Sequence, residues 1–170
     1  EFYISEKVTS IDFLRTKLVA GTTRHDFEVI DIDTLVTQPL VDPDSTLYDS
    51  KTMKCVAVLR VGSEALLCYH SFAIFTDTQG RPTAKQCIKW RADAVHAVGL
   101  YLIAFGPDHI EVRFGADGTL VQTIWIKHTL LCVSQEMCTI QTLDGRLLGL
   151  HFSASLKAVH EAHAHSTPQE

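Results

Sequence analysis

The chain has 170 residues, 46% hydrophobic and 21% charged, a globular rather than disordered composition. Its 20 acidic and 15 basic residues are interspersed and leave a net charge of −5, so no basic stripe offers itself to a phosphate backbone and nucleic-acid binding is disfavoured. The longest apolar stretch, residues 94–105, is interrupted by His96 and is shorter than the ~20 residues a membrane-spanning helix needs.

No signal peptide opens the chain, and it begins with Glu1, which predicts a soluble, cytoplasmic piece of something longer. Residues 1–4 read as the last strand of a preceding unit. A four-strand unit then recurs. Its first copy places strands at residues 10–14, 17–21 and 27–31, a turn near Asp33 and Thr34, and a last strand at 37–41. The stretch 42–52 is polar, contains Pro43, and reads as an exposed loop. The second copy reads 55–61, 65–69 and 72–75, a turn at Thr78, Gln79 and Gly80, and a closing strand over 83–90. The third reads 94–98, 101–105 and 110–114, a turn at Ala116, Asp117 and Gly118, and a closing strand over 119–126. A fourth starts with 130–133 and 138–142, turns at Asp144 and Gly145, and runs on through 146–152. Asp-Gly suits these turns because glycine adopts the positive φ they require.

The third-strand markers Phe27, Phe72, Ile110 and Leu147 are 45, 38 and 37 residues apart. Four strands per unit of roughly 40 residues is the period of a β-propeller blade. The fold expected is therefore all-β: a partial β-propeller of about three to four four-stranded blades. The blades fall near residues 5–41, 54–90 and 93–126, with a partial blade at 129–153, all within a domain over 1–154. A β-sandwich is the alternative. Such an incomplete ring would expose faces that neighbouring blades cover, and would be marginally stable or prone to associate. Residues 155–170 form a polar, His-containing tail expected to be flexible.

The search for chemistry returns little. His160, His163 and His165 are the one cluster with metal-binding potential, and His160 and His163 would share a helix face. The H-E-x-x-H pattern fails because position 164 is Ala, so a solvated tail is the better reading. His25, His70, His96, His109, His128 and His151 are scattered over different strands and read as edge or turn residues. Gly115 and Gly118 lack phosphate-loop spacing, and Gly62 with Ser63 does not form a nucleophile elbow. Asp31 and Asp33 alternate with Ile30 and Ile32, which puts the carboxylates on a solvent or edge face. Phe13, Phe27, Phe72, Phe75, Tyr101 and Phe105 recur at strand positions suited to packing between blades. Trp90 and Trp125 each come late in a fourth-strand segment; packing is the preferred reading for both, partner contact the second. Cys55, Cys68, Cys87, Cys132 and Cys138 show no C-x-x-C spacing, and all but Cys87 sit among apolar neighbours, as reduced, packed thiols would. No catalytic, cofactor-binding or metal residue is assigned, no cofactor is expected, and the partner-binding residues stay open.

Residues 17–21, 27–31, Leu35 with 37–40, 42–44, 66–69 with Phe72 and Ala73, and Ala104 and Phe105 with 110–113 together resemble the citron homology (CNH) domain. The version they are most similar to is that of fungal Rho-type guanine nucleotide exchange factors. The resemblance covers roughly residues 1–126, with a short loop after Asp44, and it fades from Lys127 onward. It implies the C-terminal part of a seven-bladed ring that acts as a protein-binding, regulatory module in small-GTPase signalling, with protein partners such as a Rho-family GTPase. The catalytic exchange and pleckstrin-homology segments of such a factor are not in this sequence. The longer protein would bring the module to the cell cortex, and peripheral membrane association would come through it. The same homology domain also occurs in vesicle tethers and kinases; a propeller metalloenzyme is the reading of a different class.

Overall fold

The computed structural model describes residues 7–14, 17–22, 27–40, 53–77 and 81–152. The strand read over 1–4, the loop 42–52, the turn at 78–80, His25 and the histidines of the tail lie outside them. The described residues form fifteen strands in four antiparallel sheets. The first sheet holds β1 (Val8–Leu14), β2 (Lys17–Thr22), β3 (Phe27–Asp31) and β4 (Thr37–Pro39) in chain order. The second holds β5 (Cys55–Val61), β6 (Glu64–Tyr69), β7 (Phe72–Thr76) and β8 (Ile88–Lys89). The third holds β9 (Ala94–Val98), β10 (Tyr101–Phe105), β11 (His109–Phe114) and β12 (Leu120–Trp125). The fourth has three described strands, β13 (His128–Val133), β14 (Met137–Thr142) and β15 (Leu147–His151). Each third-strand marker stands on the third strand of its sheet.

The sheets stand side by side with their first strands innermost, as blades of a β-propeller do. The second strands explain why. Both faces of β6 and β10 are covered, so they carry continuous apolar runs rather than alternation. Leu67 and Tyr69 pack toward the first blade against Val19, Phe27 and Val29. Leu66 and Cys68 pack the opposite way, with Phe75, Ile88 and Trp90, against Val95, Leu102 and Ala104 of the third blade. Ile103 and Phe105 then meet Cys138 and Ile140 of the fourth.

Polar groups also join the blades. The Val58 amide donates to Ser10 Oγ at 2.9 Å and the Arg60 amide to Asp12 Oδ2 at 3.2 Å, so β1 and β5 are fastened across the gap between sheets. Gly118, at φ 79°, occupies the left-handed region that favours glycine, with the end of the Ile88 side chain close beside it. Gly62 and Gly99, both at positive φ, open two-residue hairpin turns.

Three expectations are corrected. The closing strand over 83–90 is only Ile88–Lys89: Pro82 bridges Thr76 and the Thr83 amide still reaches the Phe75 carbonyl, but the register then slips and regular pairing resumes only at Ile88 opposite Ala73. Phe13 is 54% exposed, with no described blade on its side: alternation turns Ser10 and Asp12 toward β5 and leaves Ile11 and Phe13 on the other face. The alternation read through Asp33 stops at Asp31, where β3 ends; Ile30 is buried but Ile32 lies exposed in the turn.

Candidate protein-interaction surface

The outer end of the third blade separates the two tryptophans. Trp90 follows β8 and is buried, with its ring N–H donating to the Tyr69 carbonyl at 2.9 Å. Trp125 ends β12 and is 75% exposed. The preferred packing reading therefore holds for Trp90 and fails for Trp125. The reason is register. Lys89, not Trp90, takes the place opposite Phe72 that Trp125 takes opposite His109. Trp90 matches Ile126, one residue on and on the other face, its amide on the Ser71 carbonyl as that of Ile126 is on Asp108.

Trp125 lies opposite His109 in the β11–β12 register, and the two rings are 5.3 Å apart. His109 Nδ1 is 2.9 Å from an Asp108 carboxylate oxygen, and this contact holds the Asp108 carboxyl below the ordinary range. On the same face of β11, His109 Nε2 is 3.5 Å from Glu111, and Glu111 binds Arg113 at 2.7 Å. Arg113 donates onward to the carbonyls of Gly118 (2.9 Å) and Lys89 (3.2 Å), the latter in the second blade. All three side chains are largely buried. Their alternation with Ile110, Val112 and Phe114 is the sequence signal for this row, which the search for chemistry passed over because a strand with one polar face reads as solvated. A buried ion pair satisfied on several sides positions its elements rather than reacting. The row thus holds β11 rigidly against the second blade, and Trp125 stands on a fixed base.

A second exposed apolar group sits at the β3–β4 turn. Asp31 accepts hydrogen bonds from the Asp33 amide (3.1 Å), the Thr34 amide (2.9 Å) and the Thr34 hydroxyl (3.0 Å), which lower its pKa from the ordinary value. The turn so clamped presents Ile32, Leu35 and Val36 to solvent, with Leu35 at φ 59°. A third feature, Lys85, spans the second and third blades. It pairs with Glu64, donates to the Ala116 carbonyl at 2.6 Å and lies over the Phe75 ring at 4.6 Å.

The remaining expected residues are placed plainly. Cys55, Cys68 and Cys138 are buried. Cys132 is exposed, contrary to the packed reading, because it sits on the outward side of β13 beside a register shift between Leu130 and Cys132. His70 Nδ1 lies 3.2 Å from Asp93, and His128 Nδ1 2.9 Å from the Ile126 carbonyl, so neither joins another histidine. Among the described residues no group of three His, Cys, Asp or Glu side chains is placed to hold a metal ion. No described helix is long and apolar enough to cross a membrane.

Known proteins resemble this chain in sequence and in the arrangement of its blades. The chain is 37% identical over 134 residues to Rho1 guanine nucleotide exchange factor 1 of Schizosaccharomyces pombe, covering 73% of this chain and 10% of that protein. It spans about a tenth of the length of the curated relatives it matches. Among solved structures, the AfRom2 CNH domain superposes with a TM-score of 0.71 at 28% identity, over 89% of this chain and 53% of that one. The Neurospora crassa Pan2 WD40 domain superposes with a TM-score of 0.58 at 12% identity, over 85% of this chain and 50% of that one, a likeness of fold alone. The CNH domain family matches residues 1–135, which takes in the first three blades and β13. With blade order, sequence and superposition in agreement, the chain belongs to the CNH domain family.

Proposed function

We propose that the chain is a protein-binding, regulatory module of a Rho-family guanine nucleotide exchange factor. Its partners are proteins of the small-GTPase pathway, and it works in the cytoplasm, reaching the cell cortex through the longer protein. The exchange reaction itself belongs to other segments of such a factor. The observation that carries this reading is the sequence identity to fungal Rho1 exchange factors, together with membership of the CNH domain family. The structure supports it in kind: blades locked by apolar packing and by the Glu111–Arg113 pair present a fixed surface with an exposed Trp, the residue type most enriched at interface hot spots.

The test is the level of GTP-bound Rho in cells that carry the full-length protein with or without residues 1–152. A change in Rho–GTP, with the purified catalytic segment still competent in exchange, is the expected result. Unchanged Rho–GTP and unchanged localisation would overturn the proposal, as would acceleration of nucleotide exchange by the isolated chain.

A further inference from the structure

The blades repeat in backbone but differ in what each presents to the blade that follows it. On the second strand of the second blade, Leu66 and Cys68 face the third blade and are buried. Ile103 and Phe105 do the same between the third and the fourth. In the fourth blade, β14 turns Cys138 and Ile140 back onto the third, so alternation sends Thr139 and Gln141 onward. Across the ladder, Leu66 and Cys68 have Phe75 and Ala73 beside them, and Ile103 and Phe105 have Val112 and Ile110. Thr139 and Gln141 have Gly149 and Leu147, both exposed, and on the inner side Cys132 and Thr129.

That difference decides what the face can meet. A further blade packed as the third packs on Leu66 would press an apolar layer against Thr139 and Gln141. Their hydroxyl and carboxamide would leave water, an unfavourable step unless each found a new partner. A second copy of the chain fits no better. Its first-blade face, with no described blade on that side, carries Ile11 and Phe13 and would set them on the same polar groups. Leu147 stands at the outer edge as a single exposed apolar side chain, an ordinary surface feature. The CNH family match ends at residue 135, so β14 and β15, which build the face, lie beyond it.

We propose that the fourth blade is a capping blade: in the folded protein the face built on Thr139 and Gln141 meets water, and no further blade packs on it through an apolar core. Terminal units of repeat arrays carry polar outer faces of this kind, because an apolar one would leave a core exposed. The seam beyond the fourth blade is therefore open to water, where the family resemblance implies a ring sealed blade to blade. The two ends of the arc are unlike, apolar at the first blade and polar at the fourth, so blade packing can continue past the first and stops at the fourth. The capping role is independent of which partner the domain binds.

The test is thiol labelling of the full-length protein in its native state, with mass mapping of each modified position. Cys132, opposite Thr139 on the same face, and a Thr139→Cys substitution report on the face; Cys138, one residue along and turned inward, is the buried reference. Positions 132 and 139 should be alkylated within about tenfold of their rates in denaturant, and position 138 slowed by roughly a hundredfold or more. Thr139→Lys should leave the Tm of the domain within about 2 °C of the unsubstituted value, whereas Ile103→Lys at the equivalent place should lower it far more or abolish folding. Protection of Cys132 comparable to that of Cys138 would overturn the proposal, and this comparison needs no substitution. So would a loss in Thr139→Lys matching that in Ile103→Lys.

Discussion

Trp90 and Trp125 close successive fourth-strand segments, yet Trp90 is 7% exposed with its ring N–H on the Tyr69 carbonyl, and Trp125 is 75% exposed against His109. One indole completes the core between the second and third blades; the other stands outside it.

Their truncations should therefore part company. Trp90→Ala removes a large buried side chain and a buried hydrogen bond, and should cost about 3–5 kcal/mol. Trp125→Ala should change stability by no more than about 0.5 kcal/mol. Urea denaturation of the two variants beside the unsubstituted chain measures both; comparable losses would contradict the packing described.

Leu35 offers a substitution in the opposite direction. A branched side chain in the left-handed region costs roughly 1–2 kcal/mol, and glycine is free of that cost. Leu35 is 45% exposed, so little packing is lost on removing it. Leu35→Gly should raise stability by about 0.5–1 kcal/mol, read as an upward shift in Tm. A fall of the size typical for a buried leucine would show that the side chain packs in a way its exposure denies.

The thiols should divide two against three. Cys87 and Cys132 are exposed, whereas Cys55, Cys68 and Cys138 are buried. Burial, with Cys132 nearby, pushes the Cys138 thiol up to about 11, and burial raises Cys68 as well. Native-state titration with a chromogenic disulfide reagent at neutral pH should modify Cys87 and Cys132 and spare the other three until denaturant is added. Mass mapping of the labelled positions distinguishes this from uniform reaction.

His96, on β9 with its ring 6.1 Å from that of Phe105, has its pKa lowered by burial. The unfolded chain then takes up a proton more readily than the folded one below the ordinary imidazole value of about 6.5. The His96 contribution is whole above that pH and is lost as the pH falls through it toward the depressed folded value. Stability measured from pH 7.5 downward should decline with a slope that flattens in His96→Gln. An unchanged slope would place the loss at another group.

The elements legible in the sequence are those whose environment is set by the blade itself. β2, β6 and β10 are covered on both faces, so their unbroken apolar runs declare them, and Asp117–Gly118 and Asp144–Gly145 mark turns that glycine geometry demands. Outer strands are different, because their burial depends on what lies beside them. Trp90 and Trp125 look alike along the chain and diverge because they stand one residue apart in the register of their blades, so alternation turns one inward and the other outward. Phe13 and Cys132 misled for a related cause: each sits on an apolar strand, but on the face turned away from its neighbour. The row His109, Glu111 and Arg113 could be read as a polar face, yet its burial comes from the second blade, through the Lys89 carbonyl.

The claim that this domain binds protein through the outer end of its third blade is tested most directly by site-specific photocrosslinking in the full-length protein. A benzophenone amino acid replaces Val121, on the same strand as Trp125, in one variant and Leu35, about as open to solvent but far along the chain, in another. The account predicts a covalent adduct with a defined polypeptide of the small-GTPase pathway from position 121 and none from position 35. No adduct at 121, or the same labelling from both positions, would contradict it.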